Sequence, residues 1–291
     1  MPFPYFDETK AMNESARKNA DGSFIALIDG VTHYQLGGPE KGEPVILVHG
    51  FSVPYFIFDG TFEFLANSGF RVLRYDLFGR GFSDRPHVDY NIDLFVRQLK
   101  QLLDALSFPT VNLLGLSMGG PITAEFTRQF PHRVRRHVLI DPAGTKQVRL
   151  PWFLEAVKMP IFGELALGLF GSTSMVKSIA SDLFDPESVE HFQSQYKIQM
   201  QYQGFKRAIL STMRNGMLDS FQETYARVGE LRKPTLLFWG RNDTTVPFEY
   251  SAELMKTLPH AEFNAIENCG HIPHYEKPQV VHPVLLDFLS K

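Results

Sequence analysis

A ten-residue stretch, V-N-L-L-G-L-S-M-G-G over residues 111–120, constrains the fold of this chain more than any other. Its first part is apolar, as expected of a buried strand, and the pattern of residues 121–130 predicts a helix. A serine on the turn between a strand and a helix is placed for nucleophilic attack. Gly115 and Gly119 flank Ser117 because so tight a turn excludes larger side chains. The helix that follows would present free backbone N–H groups near Ser117.

The G-x-S-x-G pattern alone is weak support, because ordinary glycine and serine usage produces it in about one chain in ten of this size. Around it, strand and helix patterns alternate. Strands are predicted over residues 44–48, 70–75, 111–114, 134–140, 234–239 and 261–266, and helices over residues 55–68, 91–106, 121–130, 249–258 and 279–289. This alternation predicts a parallel sheet with helices on both faces. Right-handed crossovers place the carboxyl ends of its strands along one edge, where ligands bind.

One long segment, residues 145–229, interrupts this alternation. It shows helical patterns without a convincing strand. An insertion of this size at the carboxyl end of a strand is expected to lie over the sheet edge as a helical cap. We therefore predict a core of residues 1–144 and 230–291 and a cap, or lid, of residues 145–229. The apolar residues from Trp152 to Phe170 are interpreted equally as core or as ligand contacts.

Three side chains that follow predicted parallel strands form a candidate catalytic set: Ser117, Asp243 and His271. A serine hydroxyl is a poor nucleophile until a base removes its proton, and an imidazole does so near neutral pH. A carboxylate behind the imidazole holds its tautomer and stabilises the imidazolium. Asp141 also ends a strand, so it is the alternative acid.

A second pattern, H-x-x-H-x-E, runs over His271, His274 and Glu276 and suggests a metal site. Pro273 interrupts the helix that such a site uses, and Cys269 stands alone, so we predict that no metal is bound. A phosphate loop of the G-x-x-x-x-G-K-[ST] type is absent from the sequence. We predict that no cofactor is bound.

The composition narrows the class of protein. Hydrophobic residues make up 44% of the chain and charged residues 21%, which is typical of a soluble globular protein. A net charge of -3 gives no reason to expect nucleic-acid binding. A single cysteine excludes an internal disulfide and fits a reducing compartment. With no secretory signal pattern and no apolar run long enough to span a bilayer, we expect a cytoplasmic protein without stable membrane insertion.

The chain resembles the α/β-hydrolase superfamily over residues 23–141 and 232–291. The resemblance rests on five motifs: His49-Gly50, Asp76-x-x-Gly79-x-Gly81-x-Ser83, Gly115-Leu-Ser117-Met-Gly119, Gly240-x-x-Asp243 and Gly270-His271. It implies an α/β-hydrolase fold with a mostly parallel central sheet of about eight strands, helices on both faces and a helical cap. It also implies the chain order serine, acid, histidine for the triad.

The same resemblance implies an oxyanion hole formed by the backbone N–H groups of Phe51 and Met118. His49 is interpreted as a structural residue that holds the oxyanion loop, and Asp76 and Ser83 as braces of the loop after the strand at residues 70–75. A single residue after His-Gly is the arrangement of many esterases, lipases and carbon–carbon bond hydrolases of the superfamily.

Three functions remain open at this point. The first is a carboxylesterase- or lipase-like serine hydrolase that cleaves small-molecule esters with an apolar acyl or aromatic part through an acyl-enzyme. The second is a carbon–carbon bond hydrolase of ring-cleavage products, in which a cap arginine, Arg207 or Arg214, binds the substrate carboxylate. The third is a slow ligand receptor that keeps the triad. Epoxide and haloalkane chemistry is disfavoured because it requires an aspartate in place of Ser117.

Overall fold

The computed structural model describes residues 5–18, 20–146, 156–184 and 189–291. Its centre is a sheet of eight strands in the order β1-β2-β4-β3-β5-β6-β7-β8. The strands are β1 Ser23–Leu27, β2 Gly30–Gly37, β3 Pro44–Val48, β4 Arg71–Tyr75, β5 Val111–Leu116, β6 Val134–Ile140, β7 Thr235–Gly240 and β8 Glu262–Ile266. β2 runs antiparallel to both β1 and β4, and all other neighbours are parallel. The predicted mostly parallel sheet is confirmed.

The helices outside the β6–β7 connection are α1 Glu14–Lys18, α2 Asp59–Asn67, α3 Ile92–Ala105 and α4 Gly119–Gln129 before it, and α10 Tyr250–Thr257, α11 Pro273–Glu276 and α12 Pro278–Ser290 after it. Short 3₁₀ turns cover Tyr55–Phe58 and Pro131–Arg133. The N-terminus of α3 is capped by Asn91, whose side chain accepts a 3.0 Å hydrogen bond from the backbone N–H of Leu94.

The core lies on both faces of the sheet because side chains alternate along each strand. In β3, Val45 and Leu47 join one buried apolar cluster, whereas Ile46 and Val48 join another on the opposite face. All six residues of β5 are buried, as expected of a strand covered on both sides. Ser117 therefore follows directly on a strand that is buried along its whole length.

The described residues between β6 and β7 contain helices and no strand. They are a 3₁₀ turn at Ala156–Lys158, α5 Phe162–Ala166, a π-helical turn at Leu167–Gly171, α6 Ser172–Ser181, α7 Val189–Met200, α8 Phe205–Arg214 and α9 Gln222–Glu230. The apolar side chains of α7 and α8, such as Phe192 and Phe205, belong to the same cluster as Leu116 of β5. These helices therefore pack at the carboxyl end of the central strands. The division of the chain into core and cap stays a prediction.

In the first described part of the β6–β7 connection, residues 156–171, many apolar side chains are exposed, unlike those of a hydrophobic core. Large apolar side chains at Met159, Ile161, Phe162, Leu165, Leu169 and Phe170 are exposed. Trp152, Phe153 and Leu154, which the sequence offered as core or ligand contacts, lie outside the described residues. In the part of the chain that the structure describes, no helix combines the length and apolar character needed to cross a bilayer.

Candidate active site

Ser117 sits on a strained turn between β5 and α4. Its φ is 52°, a conformation that non-glycine residues seldom adopt. The turn is held because the Ser117 N–H donates to the Ile140 carbonyl at 3.0 Å. The Ser117 carbonyl accepts from the N–H groups of Gly120, at 2.8 Å, and Ala143, at 3.0 Å. Such strain persists only where the surroundings enforce it, and it concentrates at functional sites.

Close backbone contacts explain the small residues around this turn. A Cβ at Gly115 would lie 2.4 Å from the Gly119 carbonyl oxygen, and a Cβ at Gly119 would lie 2.2 Å from that of Val48. A Cβ at Gly50 would lie 3.1 Å from the Cβ of Ser117. The loop after β3, which the sequence analysis predicts to be an oxyanion loop, therefore passes directly against the serine.

This packing makes Gly119→Ala a test of the turn. The added methyl group would meet backbone rather than a flexible side chain, so we expect a loss of about 1–3 kcal/mol in the free energy of unfolding. Gly60→Ala is the control, because Gly60 lies in α2 with nothing within 4 Å of its added Cβ. Chemical denaturation of both variants gives the comparison, and equal stability of the two would contradict the close approach.

Asp243 and His271 are in direct contact. Nδ1 of His271 lies 2.7 Å from Oδ2 of Asp243, and both side chains are almost completely buried. The other carboxylate oxygen, Oδ1, accepts from the backbone N–H groups of Thr245 at 2.8 Å and Val246 at 2.9 Å. The carboxylate is thereby oriented from both sides, and Nε2 of the imidazole is left for proton transfer.

Asp141, the alternative acid, lies beside this pair rather than replacing it. One of its carboxylate oxygens lies within 4.8 Å of both a His271 ring nitrogen and an Asp243 oxygen. Oδ1 of Asp141 accepts from the backbone N–H of Gly240 at 2.9 Å. Burial and the adjacent Asp243 charge raise the pKa of Asp141 well above its ordinary value. Of the two acids, Asp141 is therefore the one whose protonated form is favoured.

The electrostatics of the pair favour an ion pair between His271 and Asp243. Burial pushes the pKa of His271 down, but the charge and hydrogen bond of Asp243, with contributions from Asp182 and Glu276, raise it above its ordinary value. Burial raises the pKa of Asp243, whereas His271 and the hydrogen bond from Asp141 lower it, and its net shift is downward.

The structure does not join Ser117 to this pair by a hydrogen bond. Within the described ranges, the Ser117 hydroxyl takes part in no hydrogen bond, and Nδ1 of His271 bonds Asp243. The parallel register of β5 to β8 nevertheless puts Ser117, Asp243 and His271 at the same edge of the sheet. Catalytic hydrogen bonds often tighten only when substrate binds. The catalytic roles of the three residues, and of the Phe51 and Met118 N–H groups, stay predictions.

His49 has the structural role expected from the sequence. Its Nδ1 lies 3.0 Å from the Gly50 carbonyl, and its Nε2 accepts from the backbone N–H of Leu77 at 2.9 Å. Complete burial lowers its pKa to about 4, so the ring is neutral near pH 7. His49 therefore ties the start of the oxyanion loop to the loop after β4.

Asp76 and Ser83 brace the loop after β4, as predicted. Asp76 accepts from the backbone N–H groups of Tyr55 and Phe82, both at 2.9 Å, and lies 2.7 Å from Nδ1 of His33. Ser83 Oγ donates to the Asp76 carbonyl at 2.6 Å. These contacts fix the conformation of the loop after β4. This loop is next to the predicted oxyanion loop.

The H-x-x-H-x-E residues have separate structural partners. Nε2 of His274 lies 3.1 Å from the Ile57 carbonyl, and burial lowers its pKa to about 3. Glu276 accepts from the Gly270 N–H at 2.8 Å and the Phe184 N–H at 2.6 Å. Glu276 therefore holds the loop that carries His271.

Asp182, at the end of α6, contacts the loop that carries His271, and the sequence analysis did not identify it. Its carbonyl accepts from the backbone N–H of His271 at 2.8 Å, and its side chain accepts from Thr245 Oγ1 at 2.5 Å. No motif marks this residue, because it lies in a helical segment far from His271 in sequence. A helix of the β6–β7 connection thus touches the histidine loop directly.

Arg207 and Arg214 are engaged away from Ser117. Arg207 donates to the carbonyls of Pro86, at 3.0 Å, and Arg85, at 2.5 Å. Arg214 forms a two-point ion pair with Glu164. Both arginines line a cleft of about 1330 Å³ whose lining residues include none of the candidate catalytic set.

With this geometry established, comparison with known proteins decides the family. A family model described as the alpha/beta hydrolase fold matches residues 43–278. The chain belongs to the α/β-hydrolase family. The match spans β3 to the start of α12 and includes Ser117, Asp243 and His271. The predicted α/β-hydrolase fold is confirmed.

Several proteins that are similar to this α/β-hydrolase over almost its whole length are named as hydrolases. It is 30% identical over 282 residues to 2-hydroxy-6-oxononadienedioate/2-hydroxy-6-oxononatrienedioate hydrolase 1 of Pseudomonas putida, covering 92% of this chain and 96% of that protein. A protein of the same activity from Paraburkholderia phymatum is 28% identical over 291 residues, covering 94% and 96%. A solved structure of a meta-cleavage product hydrolase from Pseudomonas fluorescens IP01 superposes with a TM-score of 0.76 at 25% identity. The superposition covers 92% of this chain and 97% of that protein. The chain is a hydrolase.

Proposed function

We propose that this α/β-hydrolase hydrolyses a carbon–carbon bond in a ring-cleavage product, a vinylogous 1,5-diketone acid. The observation that carries the proposal is the similarity to hydrolases of 2-hydroxy-6-oxo acids, which extends over at least 92% of the chain and includes the β6–β7 connection. The ester reaction, which the sequence analysis placed first, has no comparable relative among the three proteins described above. Hydrolase names likewise favour an enzyme over a ligand receptor.

In this proposal the residues act in sequence on the substrate ketone. Ser117 Oγ attacks the carbonyl carbon while His271 takes the serine proton. The N–H groups of Phe51 and Met118 stabilise the oxyanion. The adjacent carbon–carbon bond breaks, and His271 delivers its proton to the leaving carbon. A water molecule, deprotonated by His271, then hydrolyses the acyl-enzyme.

Asp243 supports both halves of this reaction. Its 2.7 Å contact with Nδ1 leaves Nε2 of His271 as the base, and its negative charge stabilises the imidazolium that forms after each proton transfer. The lowered pKa of Asp243 keeps that charge in place at neutral pH. Burial beside Asp243 raises the pKa of Asp141, which favours its protonated form, and in that form it supports the Asp243 carboxylate instead of competing for the imidazole.

Ester hydrolysis is the second candidate, and one observation favours it. A ring-cleavage product carries a carboxylate, for which Arg207 or Arg214 was the expected partner. Both guanidinium groups are instead engaged with carbonyls or with Glu164 and line a cleft apart from Ser117. An ester with an apolar acyl or aromatic part needs no such cation. The same serine, histidine and oxyanion donors would carry out that reaction through an acyl-enzyme.

A parallel assay separates the two reactions. The purified protein is given 2-hydroxy-6-oxo-6-phenylhexa-2,4-dienoate, followed by loss of dienolate absorbance, and p-nitrophenyl esters from acetate to dodecanoate, followed by nitrophenolate release. We expect kcat/KM for the dienoate to exceed that for the best ester by at least about 100-fold, because a site built to hydrogen-bond its substrate discriminates by up to about 10⁴- to 10⁵-fold. Rapid ester turnover without dienoate turnover would transfer the assignment to the esterase reaction.

A further inference from the structure

Two consecutive carbonyl groups of the oxyanion loop, residues 50–53, are held by buried side chains that also contact α7 and α8. The Phe51 carbonyl accepts from Nε of Arg80 at 2.8 Å. The Ser52 carbonyl accepts from Nε2 of Gln199 at 2.6 Å. Arg80 lies in the loop after β4, whereas Gln199 lies on α7. The proposed oxyanion donor, the Phe51 N–H, is therefore flanked by two bonds that originate outside its own loop.

Arg80 links the oxyanion loop to α8. Its Nη2 donates to Oγ1 of Thr212 at 2.9 Å, and Thr212 in turn donates to the Ala208 carbonyl at 2.8 Å within the helix. The guanidinium carbon lies 5.7 Å from the ring centre of Phe51 and 5.6 Å from that of Phe95. Arg80 and Thr212 have no exposed surface. The bridge is thus a desolvated, directional contact.

The cost of burying Arg80 shows that the bridge is a strong constraint. Within the described ranges, no carboxylate forms an ion pair with Arg80. The titratable groups that face it are Arg85, His49 and the neutral hydroxyls of Tyr90 and Tyr196. Burial lowers its pKa to about 10, so it stays charged at neutral pH. A buried cation without a counter-ion is stabilised only while its hydrogen bonds and ring contacts are intact.

Gln199 provides a second, independent link to α7. Its Oε1 accepts from the backbone N–H of Gly81 at 2.9 Å while its Nε2 bonds the Ser52 carbonyl. One amide thus spans the loop after β4 and the oxyanion loop, and it is only 3% exposed. A glutamine in this position satisfies a donor and an acceptor at once, which a leucine of similar size cannot do.

We propose that Arg80 and Gln199 are positioning residues through which the seating of α7 and α8 sets the geometry of the oxyanion loop. The carbonyls of residues 51 and 52 belong to the two planar peptide groups that follow the Cα of Phe51, so holding them fixes the chain on that side of Phe51 and restricts movement of the peptide group that carries its N–H. On the other side, the Gly50 carbonyl, which shares a peptide group with the Phe51 N–H, lies 3.0 Å from Nδ1 of His49. The inference rests on the proposed function, because it presumes an oxyanion formed on a Ser117 adduct.

The test removes each bond at the helix and keeps Arg80 in place. Thr212→Val deletes the hydroxyl that Arg80 bonds, and Gln199→Leu deletes both amide contacts. Thr173→Val and Gln195→Leu are the matched controls, because they make the same changes at exposed positions of α6 and α7. Steady-state kinetics give kcat and KM, and phenylboronic acid, whose serine adduct places an oxygen in the oxyanion hole, gives an inhibition constant.

We expect Thr212→Val and Gln199→Leu each to lower kcat about 10-fold with KM nearly unchanged, a part of what one oxyanion donor contributes. The inhibition constant of phenylboronic acid should rise by the same factor, and the control variants should match the wild type. Unchanged kcat and boronate affinity would overturn the coupling alone. A fall in kcat with boronate affinity unchanged would show a merely structural role and also overturn it. Failure of boronate to inhibit the wild type would overturn the proposed function with it.

Discussion

Ser117→Ala is expected to lower kcat/KM by at least about 10⁴-fold, with the dienoate and with any ester that the wild type turns over. The Ser117 hydroxyl is the nucleophile of the proposed first step, and the positive φ of the residue, 52°, shows that the surroundings hold it in a costly conformation. The measurement is steady-state turnover at high enzyme concentration, so that a residual rate is detected. A fluorophosphonate probe should label the wild type and leave the variant unlabelled.

Ser194→Ala is the matched control for this substitution, because Ser194 is exposed on α7. It should keep wild-type turnover and wild-type labelling. Thermal unfolding of both variants separates lost chemistry from lost folding. Turnover by Ser117→Ala within about tenfold of the wild type would exclude the acyl-enzyme and, with it, the nucleophile assignment.

Asp243→Asn is expected to lower kcat at neutral pH by about 10³- to 10⁴-fold, because the amide does not stabilise the imidazolium. It should also shift the pH profile. The wild-type rate rises with pH as His271 loses its proton. The midpoint of this rise lies above 6.5, because burial lowers the pKa of His271 but the Asp243 carboxylate raises it by more. In Asp243→Asn the carboxylate charge is gone, so the burial of His271 lowers its pKa and the midpoint moves to lower pH. The measurement is kcat/KM across the pH range.

Asp141→Asn is the informative comparison for this prediction. The raised pKa of Asp141 favours its neutral form, which the amide of asparagine resembles in size and charge. We expect Asp141→Asn to keep kcat within roughly tenfold of the wild type. A larger loss at Asp141 than at Asp243 would reverse the assignment of the acid.

Much of the fold follows from local patterns. The runs that became β3, β5 and β7 are short and apolar, and a strand covered on both faces has that composition. The apolar spacing of α3 placed its boundaries within one residue, since Asn91 supplies the cap. The predicted helix over residues 55–68 instead begins as a 3₁₀ turn at Tyr55–Phe58. Its backbone N–H at Tyr55 bonds Asp76, a partner that local periodicity does not reveal.

Some residues of the candidate site could be predicted from local sequence patterns, whereas the arrangement of others depends on the tertiary structure. Ser117 was predictable because strand, tight turn and helix are consecutive in sequence, and Asp243 and His271 because each follows a strand. The place of Asp141 beside the Asp243–His271 pair was open, since only the register of β6 against β7 brings these acids together. The engagement of Arg207 and Arg214 away from Ser117 depends on contacts with Pro86 and Glu164 that no spacing encodes.

The sequence by itself therefore determined the layered sheet, the serine turn and the sheet edge at which the acid and histidine lie, because periodicity, turn sterics and parallel connections act over short stretches of chain. The tertiary structure alone decided which acid contacts the imidazole, that Asp182 holds the histidine loop, and that Arg80 and Gln199 hold the oxyanion loop. Those contacts join residues separated by tens to more than a hundred positions. Their energies depend on packing and desolvation, which arise only when the helices between β6 and β7 pack at the carboxyl end of the central strands.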